Sequence, residues 1–274
     1  MQLLRQLNNK IQNVNSEFLK ATKLLWLLIL PTGIANAQQT KEDFKSLKTG
    51  DSYEIIIKTP KDFDTSKAYH IVYFTDAGIN SGKTILTQQE EISKHCILIG
   101  IAHKGDWDTK RQRDFIPSDA GGHKDENFGQ ASKFYLFMKE ELLPYINTKF
   151  NKQKSKVFIG HSFGGLLALY MSMRENRLFD HYYAISPSVW ANYKELMKIE
   201  MKYATNGKSY HSSISIYAGS LEFLNKVLSS SQEFYNTVKA RKYTGITITH
   251  SIISGVNHYG IVPRIVPDIL RQLR

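Results

Sequence analysis

The stretch VFIGHSFGGLLALY, residues 157–170, changes character abruptly at its centre. Its first half is rich in β-branched and aromatic residues, which favour a buried strand, whereas the leucines and alanine that follow favour a helix. Ser162 lies where the two halves meet, within the pattern Gly-x-Ser-x-Gly. Because glycine has no side chain, the flanking glycines allow a strand and a helix to approach closely at a sharp turn.

A Gly-x-Ser-x-Gly pattern between a strand and a helix is the sequence signature of a nucleophile elbow. A serine at such a bend is held at strained backbone angles, which lift its hydroxyl above the sheet. The N terminus of the following helix directs free N–H groups toward an oxyanion that develops there. We therefore predict that Ser162 is a catalytic nucleophile.

Apolar runs of strand length alternate with amphipathic segments along the rest of the chain. The strand candidates are residues 53–57, 70–74, 96–101, 156–159, 182–186, 214–218 and 246–253. The helix candidates are residues 129–150, 164–175, 193–204, 221–241 and 262–273. Continuous apolar strands are typical of a parallel sheet covered on both faces, and their alternation with helices indicates βαβ units. The predicted fold class is α/β with a mostly parallel central sheet.

A serine hydroxyl needs a base to remove its proton, and a third group usually orients that base. In a fold with a nucleophile elbow, the acid and then the histidine follow the serine, each beyond a later strand. Among the acids after Ser162, Glu222 is the one that stands just past the end of a predicted strand. We predict that Glu222 is the acid; the alternative is a first-turn helix residue stabilised by the helix dipole.

The histidines that follow Ser162 differ in their positions relative to the predicted strands. They are His181, His211, His250 and His258. The first two precede strands and the third lies inside one, whereas His258 lies in SGVNHYG, residues 254–260, between the last strand and the last helix. This loop is where the general base is expected, so we predict that His258 completes a Ser-Glu-His triad.

No metal or cofactor is predicted from the remaining residues. His161 is adjacent to the serine, but the turn should direct its side chain away, so we interpret it as a packing residue. The nine histidines show neither His-x-x-x-His nor Cys/His spacing, which argues against a metal site. The single cysteine, Cys96, begins an apolar run and is interpreted as a buried hydrophobic residue.

The first 37 residues have the pattern of a secretory signal peptide. Basic residues precede an apolar stretch at 24–34, and Ala35-Asn36-Ala37 follows as a small-residue cleavage site. We predict cleavage after Ala37, a periplasmic or secreted location and a single domain over residues 38–274. The alternative is that the segment is retained as an anchor.

The chain carries a formal net charge of +11, and its basic residues are scattered. No nucleic-acid-binding signature accompanies the charge, so nucleic acid is not a predicted partner. The charge indicates either an ordinary basic surface or attraction to an anionic substrate or envelope surface. Residues 103–127 are polar and turn-rich, and they follow a predicted strand. Such a segment is either a ligand-binding loop or a mobile surface insertion.

With these residues placed, the chain resembles the bacterial putative-esterase family of α/β-hydrolases. That family includes periplasmic siderophore (enterobactin-type) esterases, feruloyl and acetylxylan esterases, and mycolyltransferases. Beyond GHSFGG at 160–165, the resemblance rests on RQRDFIP at 111–117, AISPSVW at 184–190 and GVNH at 255–258. It covers roughly residues 50–273 and implies an α/β-hydrolase fold.

The resemblance also implies how an oxyanion would be bound. One donor is the backbone N–H of Phe163, directly after the serine. Family members carry an Asp-Gly pair after the third strand, where a backbone N–H supplies the second donor. Here Ala77 stands between Asp76 and Gly78, so the second donor is assigned to the N–H of either Ala77 or Gly78.

Two further roles follow from the resemblance. Arg113 is expected to bind substrate and to pair with Asp114, which fixes the polar segment over the site, and Trp190 is expected to line the acyl pocket. Both could equally be ordinary packing residues. Some siderophore esterases of this family resemble a Ser-His dyad, which leaves Glu222 either as an orienting group or as a structural one.

Together these assignments predict a serine carboxylic ester hydrolase that acts on a small-molecule ester through an acyl-enzyme and needs no cofactor. Export and positive charge make an anionic, iron-loaded catecholate triester an attractive substrate, although plant-polymer and simple acyl esters suit the same fold. The alternatives are an acyltransferase that uses the same acyl-enzyme and a non-catalytic protein that binds an anionic ligand.

Overall fold

A central sheet of eight strands organises the residues that this computed structural model describes, which are 39–88, 90–117, 128–174, 177–205, 212–224 and 226–273. The strands are β1 (Gln39–Lys45), β2 (Ser52–Lys58), β3 (Tyr69–Thr75), β4 (Cys96–His103), β5 (Gln153–His161), β6 (His181–Ile185), β7 (Ser212–Gly219) and β8 (Ile246–Ile253). Their order in space is β1-β2-β4-β3-β5-β6-β7-β8. β2 pairs antiparallel with both β1 and β4, and the pairs from β4 to β8 are parallel.

Helices cover both faces of the sheet, so that its central strands, such as β3 and β4, are buried on both sides. They are α1 (Asn80–Leu86), α2 (Glu90–Ser93), α3 (Trp107–Phe115), α4 (Ala131–Phe137), α5 (Leu143–Lys149), α6 (Phe163–Ser172), α7 (Tyr193–Thr205), α8 (Val227–Arg241) and α9 (Ile261–Gln272). Successive strand residues point to opposite faces. Tyr73 accordingly joins the core under α4 to α8, and Phe74 joins the core under α1 and α9.

The predicted α/β class and all seven predicted strands are confirmed, with boundaries that move by a few residues. β1 was not predicted because its sequence, QTKEDFK, is polar and lies at the sheet edge with most side chains exposed. The predicted signal peptide lies outside the described residues. In the part of the chain that is described, no helix combines the length and the apolar character needed to cross a bilayer.

The polar segment at 103–127 is only partly a loop, which corrects the prediction. Its first half forms α3, and the side chain of Asp106 caps this helix by accepting a hydrogen bond from the N–H of Thr109 at 3.3 Å. Residues 118–127 lie outside the described ranges. The helix places its side chains beyond the carboxyl end of β4, where ligands bind in parallel sheets.

Candidate active site

Ser162 occupies the tight bend between β5 and α6. Its φ and ψ are 60° and −116°, a combination that strains any residue with a side chain. The surrounding backbone holds it there: its N–H donates to the carbonyl oxygen of Ile185 at 3.0 Å. Its own carbonyl oxygen accepts from the N–H groups of Leu166 and Ser188, both at 3.0 Å. The strained bend predicted from the sequence is therefore present.

The glycines beside the serine are required by close backbone approach. A Cβ atom at Gly160 would lie 1.9 Å from the carbonyl oxygen of Gly164. A Cβ atom at Gly164 would lie 2.4 Å from Oγ1 of Thr75 at the end of β3. Any side chain at either position would thus force the strand, the helix and the neighbouring strand apart.

Glu222 and His258 are brought together from the ends of β7 and β8. Oε1 of Glu222 lies 2.5 Å from Nδ1 of His258, and the carboxylate is 1% exposed. The other oxygen, Oε2, accepts hydrogen bonds from the hydroxyl of Ser186 at 2.7 Å and the N–H of Gly219 at 2.6 Å. Burial raises the pKa of Glu222, but the hydrogen bonds from His258, Ser186 and Gly219 outweigh it and hold the pKa below its ordinary value. An ionised carboxylate accepts the Nδ1 proton, which leaves Nε2 of His258 as the basic nitrogen.

Ser162 and His258 line one pocket, with a volume of about 660 Å³. The hydroxyl of Ser162 points to the hydroxyl of Ser188, with their oxygens 3.2 Å apart. Within the described residues, no hydrogen bond joins Ser162 to His258. Contacts between a nucleophile and its base are often long before substrate binds. A hydrogen bond between Ser162 and His258 would require the Ser162 side chain to turn from Ser188 toward the imidazole.

Two backbone N–H groups are candidate donors to an oxyanion at this site. Phe163 is the first residue of α6, so its N–H has no acceptor inside the helix. The N–H of Ala77 already donates to the carbonyl oxygen of Ile101 in β4 at 3.2 Å. Gly78 lines the pocket. Of the two alternatives predicted from the sequence, the N–H of Gly78 is therefore the candidate second donor, because the N–H of Ala77 is engaged in the sheet.

An arginine that sequence reasoning passed over forms part of the pocket wall. Arg111 donates from Nε and Nη2 to the two carboxylate oxygens of Asp76, at 2.7 and 3.0 Å. Its guanidinium carbon also lies 5.4 Å from the ring centroid of Phe163. Arg111 thus links α3 to the turn after β3 and to the start of α6, the two segments that carry the candidate oxyanion donors. The motif RQRDFIP contains two arginines, and nothing in its residues indicates which of them lines the pocket.

The two residues expected to bind substrate lie elsewhere. Arg113 does not line the pocket; its guanidinium pairs with Asp114, at 2.7 and 2.9 Å, and with Asp51, at 2.9 Å. Trp190 is 46% exposed on a short 3₁₀ turn and also lies outside the pocket lining. The predicted pairing of Arg113 with Asp114 is thus present, whereas the arginine of this motif that lines the pocket is Arg111.

The ion pair of Arg113 belongs to a buried network around Asp114. This carboxylate is fully buried and also accepts hydrogen bonds from the hydroxyl of Tyr53 at 2.7 Å and from Nε2 of His103 at 3.0 Å. Burial raises the pKa of Asp114, but the hydrogen bonds from His103 and Arg113 outweigh it, so the pKa lies below its ordinary value. The network joins β2, β4 and α3, and so it holds α3 over the sheet.

Replacing Asp114 with asparagine is expected to lower the free energy of unfolding by about 3 kcal/mol at pH 7, because the donors around it lose a buried, charged acceptor. Arg113, which is partly buried, keeps its ion pair with Asp51. Because the folded-state pKa is depressed, this contribution is present above the unfolded-state pKa, about 3.9, and is lost as the pH falls through the folded-state value. Urea unfolding at pH 7 and at lower pH measures the difference. Asp43→Asn, which breaks an exposed ion pair with Lys104, is the control and should change stability far less. An equal loss in the two variants would contradict the assignment.

The order of serine, acid and histidine along a mostly parallel sheet is that of the α/β-hydrolases. A family model described as "Putative esterase" matches residues 46–245. The chain belongs to this esterase family, as the resemblance of its motifs predicted.

Individual relatives agree with this assignment over most of their length. The ferri-bacillibactin esterase BesA of Bacillus subtilis (strain 168) is 26% identical over 244 residues, which cover 80% of this chain and 84% of BesA. The siderophore hydrolase EstB from Aspergillus nidulans superposes with a TM-score of 0.74 at 17% identity, over 88% of this chain and 96% of EstB. The BES protein from Bacillus cereus superposes with a TM-score of 0.69 at 23% identity, over 89% and 98%. These superpositions show that the fold is shared.

Proposed function

We propose that the protein is a serine carboxylic ester hydrolase that acts on siderophore esters through an acyl-enzyme. The observation that carries the chemistry is the contact between Glu222 and His258, because His258 lines the same pocket as Ser162. A binding protein would need none of these three residues, whereas an acyl-enzyme mechanism needs a nucleophile and a base within reach of each other.

The reaction begins when Oγ of Ser162 attacks the acyl carbon and Nε2 of His258 takes the hydroxyl proton. The N–H groups of Phe163 and Gly78 stabilise the negative charge that forms on the carbonyl oxygen. Glu222 holds the imidazole in the correct tautomer and balances its positive charge. The tetrahedral intermediate then releases the alcohol, which receives the proton from His258. Water, deprotonated by the same imidazole, attacks the acyl-enzyme and releases the carboxylic acid.

Two observations support a siderophore as the substrate. BesA is named for ferri-bacillibactin and EstB for siderophore hydrolysis, and both match this chain over most of their length. The full sequence has a net charge of +11, of which residues 1–37 contribute +3 (four basic residues and one acidic residue), and the positive charge that remains favours the approach of an anionic ferric complex. Residues 1–37 further support action outside the cytoplasm. Mass spectrometry of the mature protein would test that part of the proposal, and the expected N terminus is Gln38.

An ester panel tests the substrate class. The panel holds a ferric tricatecholate triester, its iron-free form, a feruloyl ester and p-nitrophenyl butyrate, with products followed by chromatography and mass spectrometry. We expect the highest kcat/KM for a tricatecholate triester, by at least about tenfold, and free carboxylic acids as products. Preference for feruloyl or simple aryl esters would refute the siderophore assignment alone. No hydrolysis of any ester, or transfer to added glycerol instead of water, would refute the hydrolase itself.

A further inference from the structure

His161 contacts the general base directly, although the sequence indicated only packing. It is the last residue of β5, precedes Ser162 and is 8% exposed. Its Nε2 lies 2.7 Å from the backbone carbonyl oxygen of His258, and the two imidazole centroids are 4.6 Å apart with an interplanar angle of 42°. A carbonyl oxygen can only accept a hydrogen bond, so Nε2 of His161 carries a proton.

We propose that His161 is a positioning residue that sets the location of the general base relative to the nucleophile. This inference rests on the proposed function, because it assigns His258 as the base. The loop at 254–260 is held by two strands: Glu222, beyond β7, binds the side chain of His258, and His161, in β5, binds its backbone. A contact at Nδ1 alone lets the ring pivot about that atom. The second contact, one residue from Ser162, removes this freedom and fixes the direction in which Nε2 points.

The electrostatic state of His161 is consistent with this role. Burial, reinforced by the neighbouring His258 and by Arg111, lowers the pKa of His161 to about 3, although Glu222 and the backbone hydrogen bond favour the charged form. His161 is therefore neutral at the pH of catalysis and keeps donating through Nε2. A neutral ring also places no positive charge beside the imidazolium that forms on His258 during the reaction.

Two substitutions separate the hydrogen bond from the packing. In His161→Gln, the side-chain amide can place an N–H where Nε2–H lies, whereas His161→Phe keeps a ring of similar shape but has no donor. We expect His161→Phe to lower kcat about tenfold with little change in KM, as for the loss of one neutral hydrogen bond that acts on the reacting geometry. We expect His161→Gln to restore kcat to within about threefold of wild type. His181→Phe is the matched control, because His181 is a part-buried histidine bonded to Ser215 outside the pocket. It should leave kcat unchanged.

A spectroscopic readout distinguishes positioning from general stabilisation. The proton between Nδ1 of His258 and Glu222 should give a far-downfield resonance in the ¹H NMR spectrum of wild type. We expect this resonance to shift or broaden in His161→Phe and to keep its position in His161→Gln. Wild-type kcat together with an unmoved resonance in His161→Phe would overturn the proposal, as would equal losses of kcat in the two variants with an unmoved resonance.

If His161→Phe fails to fold, the comparison passes to His161→Asn, whose shorter amide does not reach the position of Nε2. It should lose kcat where His161→Gln does not, and equal kcat in these two variants would overturn the proposal. The rate at which a fluorophosphonate labels Ser162 should rank wild type and the His161 variants in the same order, and it needs no ester substrate. If wild type is labelled but hydrolyses no ester, the proposed function fails while the positioning role of His161 is still measured.

Discussion

Replacing Ser162 with alanine is expected to lower kcat for ester hydrolysis by about 10⁵- to 10⁶-fold, with little change in KM. The side-chain oxygen is the atom that bonds to the acyl carbon, so its removal abolishes the acyl-enzyme. The pocket wall and the N–H groups of Phe163 and Gly78 stay in place. Substrate binding and a small residual rate from the oxyanion donors should therefore survive. Initial rates with an ester that the wild type hydrolyses measure the loss.

A second substitution at this position separates catalysis from stability at the elbow. Ser162→Gly removes the same oxygen, but glycine also tolerates a φ of 60° with a ψ of −116°, so we expect this variant to be more stable than wild type by about 1 kcal/mol. Ser229→Ala, in α8 and outside the pocket, is the activity control. Activity above about one per cent of wild type in Ser162→Ala, or a fluorophosphonate adduct on another residue, would remove Ser162 as the nucleophile.

The proposed triad was accessible from the sequence because each residue is marked by its local context. Ser162 stands between a strand and a helix, and Glu222 and His258 each follow a strand, so the parallel sheet alone brings them to one edge. The relative positions of serine, acid and histidine then follow from chain order. No contact between distant side chains has to be known in advance.

The details of the pocket were not accessible, because they depend on contacts between distant segments. Ala77 is unsuitable as an oxyanion donor only because Ile101, on the neighbouring strand, takes its N–H. Arg111, and not Arg113, reaches the pocket because α3 forms and presents alternate arginines to different surroundings, one beside Asp76 and the other beside Asp51. The segment has the sequence of a polar loop, and it has no periodicity that would indicate these ion pairs.

Glu222→Gln is expected to lower kcat by about 10³- to 10⁴-fold while the protein stays folded. The oxygen Oε2 accepts from two fixed donors, the hydroxyl of Ser186 and the N–H of Gly219. In the variant the amide oxygen must keep this position, which turns the NH₂ group toward Nδ1 of His258. An amide that donates to Nδ1 forces the imidazole proton onto Nε2, the nitrogen that has to accept the proton of Ser162. The loss of kcat would thus come from the wrong tautomer of His258 and not from altered packing.

This substitution also decides between a triad and a Ser-His dyad. Hydrogen bonds hold the pKa of Glu222 below its ordinary value, so the wild-type carboxylate is ionised throughout the neutral range. The amide of the variant does not ionise, so raising the pH should not restore its kcat. The kcat–pH profile and a thermal melt of the same sample provide the test. A wrong tautomer lowers kcat by far more than tenfold. A loss of kcat below about tenfold, with an unchanged melting temperature, would therefore mean that His258 keeps its proton on Nδ1 without the acid. Glu222 would then only anchor the 254–260 loop, and the basicity of Nε2 would have to come from the remaining contacts of His258.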